Sequence, residues 1–297
     1  MTGILVLNKP KGFTSFDAVA AVRKICSEKK CGHTGTLDPM ATGVLPLLLG
    51  GATRFGEILP DHDKTYIAKL KLGIRTDTLD ITGKVLSKEN VKTGLSAFLE
   101  TAEQFKGKTE QMPPMYSAVS VNGQRLYKLA RQGIEVERPT REVTVYSLDV
   151  ISSDENSGEY EIRVSCSSGT YIRSLISDIG DKLGCGAVMT ELNRVKANSF
   201  TIEESVTIED LKAAKELNEI KRFLIPVDSA LKAYKSVTVT QAQATRFLNG
   251  GALDTARLTD CKDKCLYRVY SPDGHFLGVG SNTDGLSLNI KKILTER

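Results

Sequence analysis

The sequence predicts an α+β protein with a small β-rich module at its C-terminal end. Three observations lead there. Strand and helix patterns are interspersed without strict βαβ repetition. Apolar residues alternate with polar ones in several short runs, the period of half-buried strands. After Leu231 the pattern changes to short strands separated by Asn249-Gly250-Gly251 and Ser271-Pro272-Asp273-Gly274.

Taken in order, Ile4 to Leu7 is a short apolar run closed by Asn8-Lys9-Pro10-Lys11-Gly12, which predicts a buried strand and a turn. Thr14 or Ser15 then caps a helix whose apolar face is Phe16, Val19, Ala20 and Val22 to Ile25. Tyr66 to Leu72 alternates as Tyr-Ile-Ala-Lys-Leu-Lys-Leu, and Glu142 to Ile151 and Tyr160 to Ser165 also read as strands. Gly169 to Leu183 reads as a helix with Ile172, Leu175, Ile176, Ile179 and Leu183 inward, stopped by Gly184. A helical stretch from Ile208 to Leu217 precedes the boundary. Beyond it, Val237 to Val239, Cys265 to Tyr270 and Phe276 to Gly280 are the predicted strands of a small barrel.

At 297 residues the chain is long enough for about two domains and a core that needs no staples. Its 40% hydrophobic and 26% charged residues are ordinary globular usage. The longest apolar stretch, Val44 to Leu49, is interrupted by Pro46 and is far below the roughly 20 residues of a membrane helix. Met1 to Pro10 lacks the layout of a signal peptide, so the cytoplasm is the expected compartment. The six cysteines then read as reduced thiols. Cys26/Cys31 and Cys261/Cys265 have the loose spacing of zinc pairs without a histidine partner at finger spacing, so no metal is expected, with a structural zinc as the alternative. The net charge of +4 decides little by itself, but residues 1 to 36 already reach +4, with Lys9, Lys11, Arg23, Lys24, Lys29 and Lys30 against Asp17 and Glu28. A basic N-terminal face is expected.

The most informative stretch is Gly32-His33-Thr34-Gly35-Thr36-Leu37-Asp38-Pro39-Met40-Ala41-Thr42-Gly43-Val44-Leu45, a loop built around one carboxylate. Spacing alone reads Asp38 as a turn residue. Phosphate-loop patterns and the GxSxG elbow are missing from it. The segment resembles the catalytic motif of the TruB family of tRNA pseudouridine synthases. The resemblance continues at Leu7-Asn8-Lys9-Pro10, Lys64-Thr65-Tyr66, Arg75-Thr76-Asp77-Thr78, Pro114-Met115-Tyr116-Ser117-Ala118 and Gly169-Thr170-Tyr171-Ile172-Arg173, in the family's order, to about Leu192.

The resemblance implies a pseudouridine synthase catalytic domain over residues 1–235, with a mixed, mainly antiparallel sheet flanked by helices and an RNA-clasping insertion at about 117–142. Residues 236–297 resemble a PUA domain, an RNA-binding β-barrel. The implied reaction isomerises the T-loop uridine at tRNA position 55 by base flipping, and needs no cofactor. Asp38 is implied as the catalytic carboxylate, acting on the sugar or on the base. Arg173 is implied as its partner, since a guanidinium holds a carboxylate bidentately and keeps it ionised. Tyr66 is implied to stack on the target uracil, with Tyr171 and Leu192 lining the pocket. His33 is implied to help fill the place of the extruded base, and Lys9 and Pro10 to support the loop. Gln124 to Gln132 reads as a short helix in which Arg125, Lys128 and Arg131 recur every third residue, and the resemblance places it against the RNA backbone. The sequence departs from the family where Ser120 stands in place of the usual Lys. The expected partner is the T arm of tRNA, with no obligate protein partner, no membrane and a monomer as the simplest state. The alternatives are the related guide-RNA-dependent synthase of box H/ACA particles and a non-catalytic RNA-binding or RNA-folding protein on the same fold. Retention of Asp38, Tyr66 and Arg173 together argues for the enzyme.

Overall fold

In the computed structural model, which describes residues 1–121 and 123–295, the N-terminal apolar run forms the strand Gly3–Lys9. Thr14 ends the following turn as the cap of the helix Ser15–Cys26. Its hydroxyl accepts the Asp17 N–H while the Asp17 carboxylate accepts the Thr14 N–H. The buried stripe of this helix is Ser15, Ala18, Val19, Val22, Ile25 and Cys26. Phe16 and Ala20, placed inward by the sequence reading, are exposed. The three-and-four spacing of the observed stripe puts residues 16 and 20 on the opposite side of the helix.

The chain divides into two compact units, Met1–Pro39 with Val44–Asp61 and Asn198–Arg297, and Met40–Gly43 with His62–Ala197. In the first, Gly3–Lys9 lies beside the strand Thr42–Leu49, on whose C-terminal half Cys31–His33 pairs antiparallel. The helix Ile208–Glu216 packs on Ser15–Cys26. Ile4 exchanges backbone hydrogen bonds with Ile225, both at 2.8 Å. A separate five-stranded sheet follows in the order Lys235–Thr238, Leu266–Tyr270, Phe276–Asn282, Ser287–Ile293, Leu253–Asp254. With the helix Gln241–Leu248 it encloses a core of Val237, Phe247, Leu253, Tyr267, Val269 and Leu288, half of a barrel in form. Two of its strands, Leu253–Asp254 and Ser287–Ile293, go beyond the sequence reading.

In the second unit the strands run in the order Ala187–Ala197, Lys64–Leu72, Glu159–Cys166, Arg141–Asp154, Gly107–Gln111, all antiparallel. Thr42 and Gly43 pair parallel with Asn193 and Arg194. In Lys64–Leu72 the alternation is plain: Tyr66, Ala68, Leu70 and Leu72 are buried and Lys69 is exposed. The fold is therefore α+β with a mixed, mainly antiparallel sheet, as the sequence predicts. The helix Ile172–Lys182 begins three residues later than expected, because Ser168 and Gly169 form a turn and Tyr171 is the cap. Gly184, with φ +78°, follows its end in the left-handed conformation.

Gly43 has φ +102°, and a Cβ there would stand 2.3 Å from the Arg194 carbonyl oxygen and 2.4 Å from Asn193 Oδ1. No side chain fits. Gly43→Ala is expected to cost about 3 kcal/mol or more, from left-handed strain and overpacking together. Urea unfolding checks this, as a lowered midpoint at unchanged slope.

Candidate active site

The loop that carries Asp38 is anchored from beneath. Lys9, at the end of the first strand, is fully buried. Its ammonium donates to the carbonyls of Pro10 at 3.0 Å, Phe13 at 2.6 Å and Pro39 at 3.5 Å. A buried cation is costly unless its protons are used, and three carbonyl oxygens use them. Lys9 is thus an internal strut, and the Lys9-Pro10 turn holds the residue after Asp38. Asp38 itself is half-buried. His33 is exposed at the end of Cys31–His33, where it lines a groove of about 390 Å³ with Thr34, Thr53, Arg54 and Lys292. Thr34 is pinned next to it, its hydroxyl donating to Asn198 Oδ1 at 2.7 Å and its N–H to the Pro46 carbonyl at 3.2 Å.

Tyr66, Tyr171, Arg173 and Leu192 all belong to the second unit. Tyr66 is 6% exposed and Leu192 8%, on the same buried face of adjoining strands, with Tyr66 opposite Arg194 and Ala68 opposite Leu192. Tyr171 is half-buried, and Gln111 grips its backbone twice: Oε1 accepts its N–H at 2.7 Å and Nε2 donates to its carbonyl at 3.0 Å. The Arg141 guanidinium lies 4.8 Å from the Tyr171 ring centroid, within cation–π range.

Arg173 sits in the first turn of its helix and is 4% exposed. One terminal nitrogen donates to the Thr78 carbonyl at 3.0 Å and the other to the Tyr116 carbonyl at 2.9 Å. Asp80 Oδ2 lies 3.9 Å from the first of these nitrogens. Three separate sequence blocks, 75–78, 114–118 and 169–173, are thereby joined at one guanidinium. A planar fork bonding two carbonyls has little freedom left, so the charge is held in a fixed orientation.

Asp80 is a residue the sequence reading missed. It is 6% exposed, and its Oδ1 accepts from the Thr78 hydroxyl at 2.9 Å, the Thr82 N–H at 3.0 Å and the Thr82 hydroxyl at 2.5 Å. Leu79 beside it has φ +62°, a left-handed conformation that strains a leucine and is held by Ile81 and Leu79 bonding the Met189 backbone. Gln111 and Arg194, the latter 1% exposed, were likewise missed.

The basic insertion differs from its predicted form. The helix spans only Leu126–Arg131, and Arg125 lies before it, in the strand Gln124–Arg125 that pairs with Ser120–Val121. Arg125 stands opposite Ser120 and its guanidinium donates to the Ala118 carbonyl, so it does not share a helical face with Lys128 and Arg131. The hairpin consumes the turn that the every-third-residue pattern assigned to helix. Lys128 and Arg131 remain exposed on the helix, with Arg131 5.6 Å from the Tyr127 ring centroid.

Among the described residues no group of three or more His, Cys, Asp or Glu side chains is placed to hold a metal ion. Burial pushes the Cys31 and Cys261 thiols up to about 11, so they are poor thiolates. No helix of the described residues is long and apolar enough to cross a membrane.

Residues 23–172 match the TruB family pseudouridylate synthase N-terminal domain, residues 173–232 a tRNA pseudouridylate synthase B C-terminal domain, and residues 236–288 the C-terminal domain of pseudouridine synthase II TruB. The chain is 45% identical to the tRNA pseudouridine synthase B of Clostridium kluyveri, over 96% of each chain. It is 44% identical to that of Clostridium acetobutylicum, over 99% of this chain and 100% of the relative. Among solved structures it resembles a chain of a Cbf5-Nop10-Gar1 complex, with TM-score 0.76 and 26% identity over 100% of this chain and 86% of the other. With half of its length in the N-terminal domain model and near-full-length relatives well above 30% identity, the chain belongs to the TruB family of pseudouridylate synthases.

Proposed function

We propose that the chain isomerises uridine to pseudouridine in tRNA, at position 55 in the T loop. The observation that carries this reading is the buried Arg173 guanidinium, on which three of the family-like sequence blocks converge. The reaction breaks the bond between uracil N1 and the sugar, turns the base and joins its C5 to the same sugar carbon, while the C5 proton leaves and N1 takes up a proton. Substrate and product have the same atoms, so the step needs no electron acceptor.

In this reading Asp38 is the carboxylate that acts on the nucleotide, at the sugar or at the base, with Arg173 as its proposed partner. Tyr66 stacks on the uracil, and Tyr171 and Leu192 wall the pocket. His33 helps take the place of the extruded base, and Lys9 and Pro10 hold the loop. Residues 1–235 carry the reaction, with the insertion at about 117–142 clasping the RNA, and residues 236–297 form a PUA-like RNA-binding domain. A cytoplasmic monomer acting without an obligate protein partner fits this division of tasks.

Tritium release from a tRNA transcript labelled at uridine C5 tests the reading. Release from the intact transcript, and none when the T-loop uridine is replaced by cytidine, is the expected result. Tight binding without release would favour an RNA-folding protein on the same fold.

Phosphate contact by Lys128 and Arg131 makes a separate prediction. Because Arg125 is engaged with the Ala118 carbonyl, the other two cations are the better test. The double variant Lys128→Ala/Arg131→Ala is expected to flatten the slope of log affinity against log salt by about 0.7 to 0.9 per cation removed. Fluorescence titrations of tRNA across a salt series measure it. An unchanged slope places this helix away from the RNA.

A further inference from the structure

We propose that Ser15 is a positioning residue for Asp38, an inference that rests on the reading of Asp38 as the catalytic carboxylate. Ser15 opens the helix Ser15–Cys26, where a hydroxyl ordinarily serves as the cap. Here Thr14 already fills that task, so the Ser15 hydroxyl is not needed by its own helix. It is 3% exposed and reaches across 22 residues of sequence to Leu37. Ser15 Oγ accepts the Leu37 N–H at 2.8 Å and lies 3.2 Å from the Leu37 carbonyl, to which it donates.

One hydroxyl therefore holds both polar backbone groups of the residue before Asp38. The Leu37 carbonyl belongs to the peptide plane that ends at the Asp38 Cα, so fixing it fixes one side of Asp38. The other side is fixed as well, since the Pro39 carbonyl accepts from the Gly12 N–H at 2.7 Å and from Lys9 Nζ at 3.5 Å. The Leu37 side chain is itself buried at 3% exposure. With both flanking residues clamped, the backbone that carries the Asp38 carboxylate is held on both sides.

Without the Ser15 hydroxyl, both Leu37 groups lose a buried partner and the loop shifts to find another. A shift of up to about 1 Å at a reacting group is enough to slow chemistry by roughly 10- to 100-fold. Ser15→Ala is nearly isosteric and is expected to fold.

The test is single-turnover tritium release at saturating tRNA, with tRNA affinity and thermal midpoint measured alongside, for Ser15→Ala, Ser15→Thr and Asp38→Asn. The expected result is a 10- to 100-fold lower rate for Ser15→Ala, on the scale set by a misplaced reacting group, with affinity within about twofold. Ser15→Thr, which keeps the hydroxyl, is expected to recover most of the rate even where its extra methyl lowers the thermal midpoint. A wild-type rate in Ser15→Ala, beside an inactive Asp38→Asn, would overturn the proposal and leave the Asp38 reading standing. Equal rate losses in the alanine and threonine variants would also overturn it. Full activity in Asp38→Asn would instead remove the reading on which the proposal rests.

Discussion

Asp38→Asn is expected to abolish tritium release, with a rate loss of at least about 10³-fold, while tRNA affinity stays within roughly threefold. The asymmetry follows from what the substitution changes. An amide has the shape of a carboxylate, and the chain around position 38 is held by groups that do not involve this side chain: the Lys9 ammonium and the Gly12 N–H on Pro39, and Ser15 on Leu37. The loop therefore keeps its path. What disappears is the negative charge and the ability to act as a nucleophile or base, which a neutral amide cannot replace. Binding energy for a folded RNA comes mainly from phosphates and splayed bases spread over a wide surface, so one neutral substitution within the loop removes little of it. The measurement is single-turnover tritium release with a filter-binding titration on the same preparation. Retained turnover, or a loss of affinity as large as the loss of rate, would place the chemistry elsewhere in the molecule.

The site and the fold were legible in the sequence to different depths, and the differences have physical causes. Strands such as Lys64–Leu72 were visible because one face is buried and the other is not, so the alternation is written into residue type. The strand Ser287–Ile293 has the same geometry, but its second half carries Lys291 and Lys292 and only Leu288 is fully buried, which blurs the period. The helix at 15–26 is visible in its spacing, yet Phe16, apolar by residue type, lies at an angular position that faces outward. Small residues, Ser15 and Ala18, occupy the inward positions instead. Asp80 illustrates the harder limit. In Thr78-Leu79-Asp80-Ile81-Thr82-Gly83 an aspartate reads as a turn residue, and three of its hydrogen bonds are indeed local. Its place beside Arg173 arises from a neighbour 93 positions away, and no local pattern reports that. Ser15 likewise reads locally as a cap, while its partner Leu37 lies 22 positions away.

The second large effect is expected at Arg173. Arg173→Lys keeps the charge, and if charge alone mattered it would be nearly silent. The geometry argues otherwise. The guanidinium bonds the Thr78 carbonyl with one terminal nitrogen and the Tyr116 carbonyl with the other, in a site where Arg173 is 4% exposed. A lysine has a single nitrogen on a flexible stem and cannot hold two carbonyls in the orientation a planar fork does. At least one of these carbonyls loses its donor, and the segments around Thr78 and Tyr116 lose the strut between them. Asp80, buried and 3.9 Å from that guanidinium, loses its place in a fixed arrangement of charge. The expected outcome is a fall in single-turnover rate of about 10²-fold or more, with a lowered thermal midpoint, if Arg173 has the role proposed above, since the same side chain stitches three segments. Arg173→Met should be worse in both respects, because it also leaves Asp80 without a nearby cation in a buried site. A comparison of the two variants separates the contributions. If lysine restores the rate to near wild type while methionine does not, charge suffices and the forked geometry is incidental. If lysine and methionine are both slow, the orientation of the guanidinium, set by two backbone carbonyls far apart in sequence, is what the reaction requires.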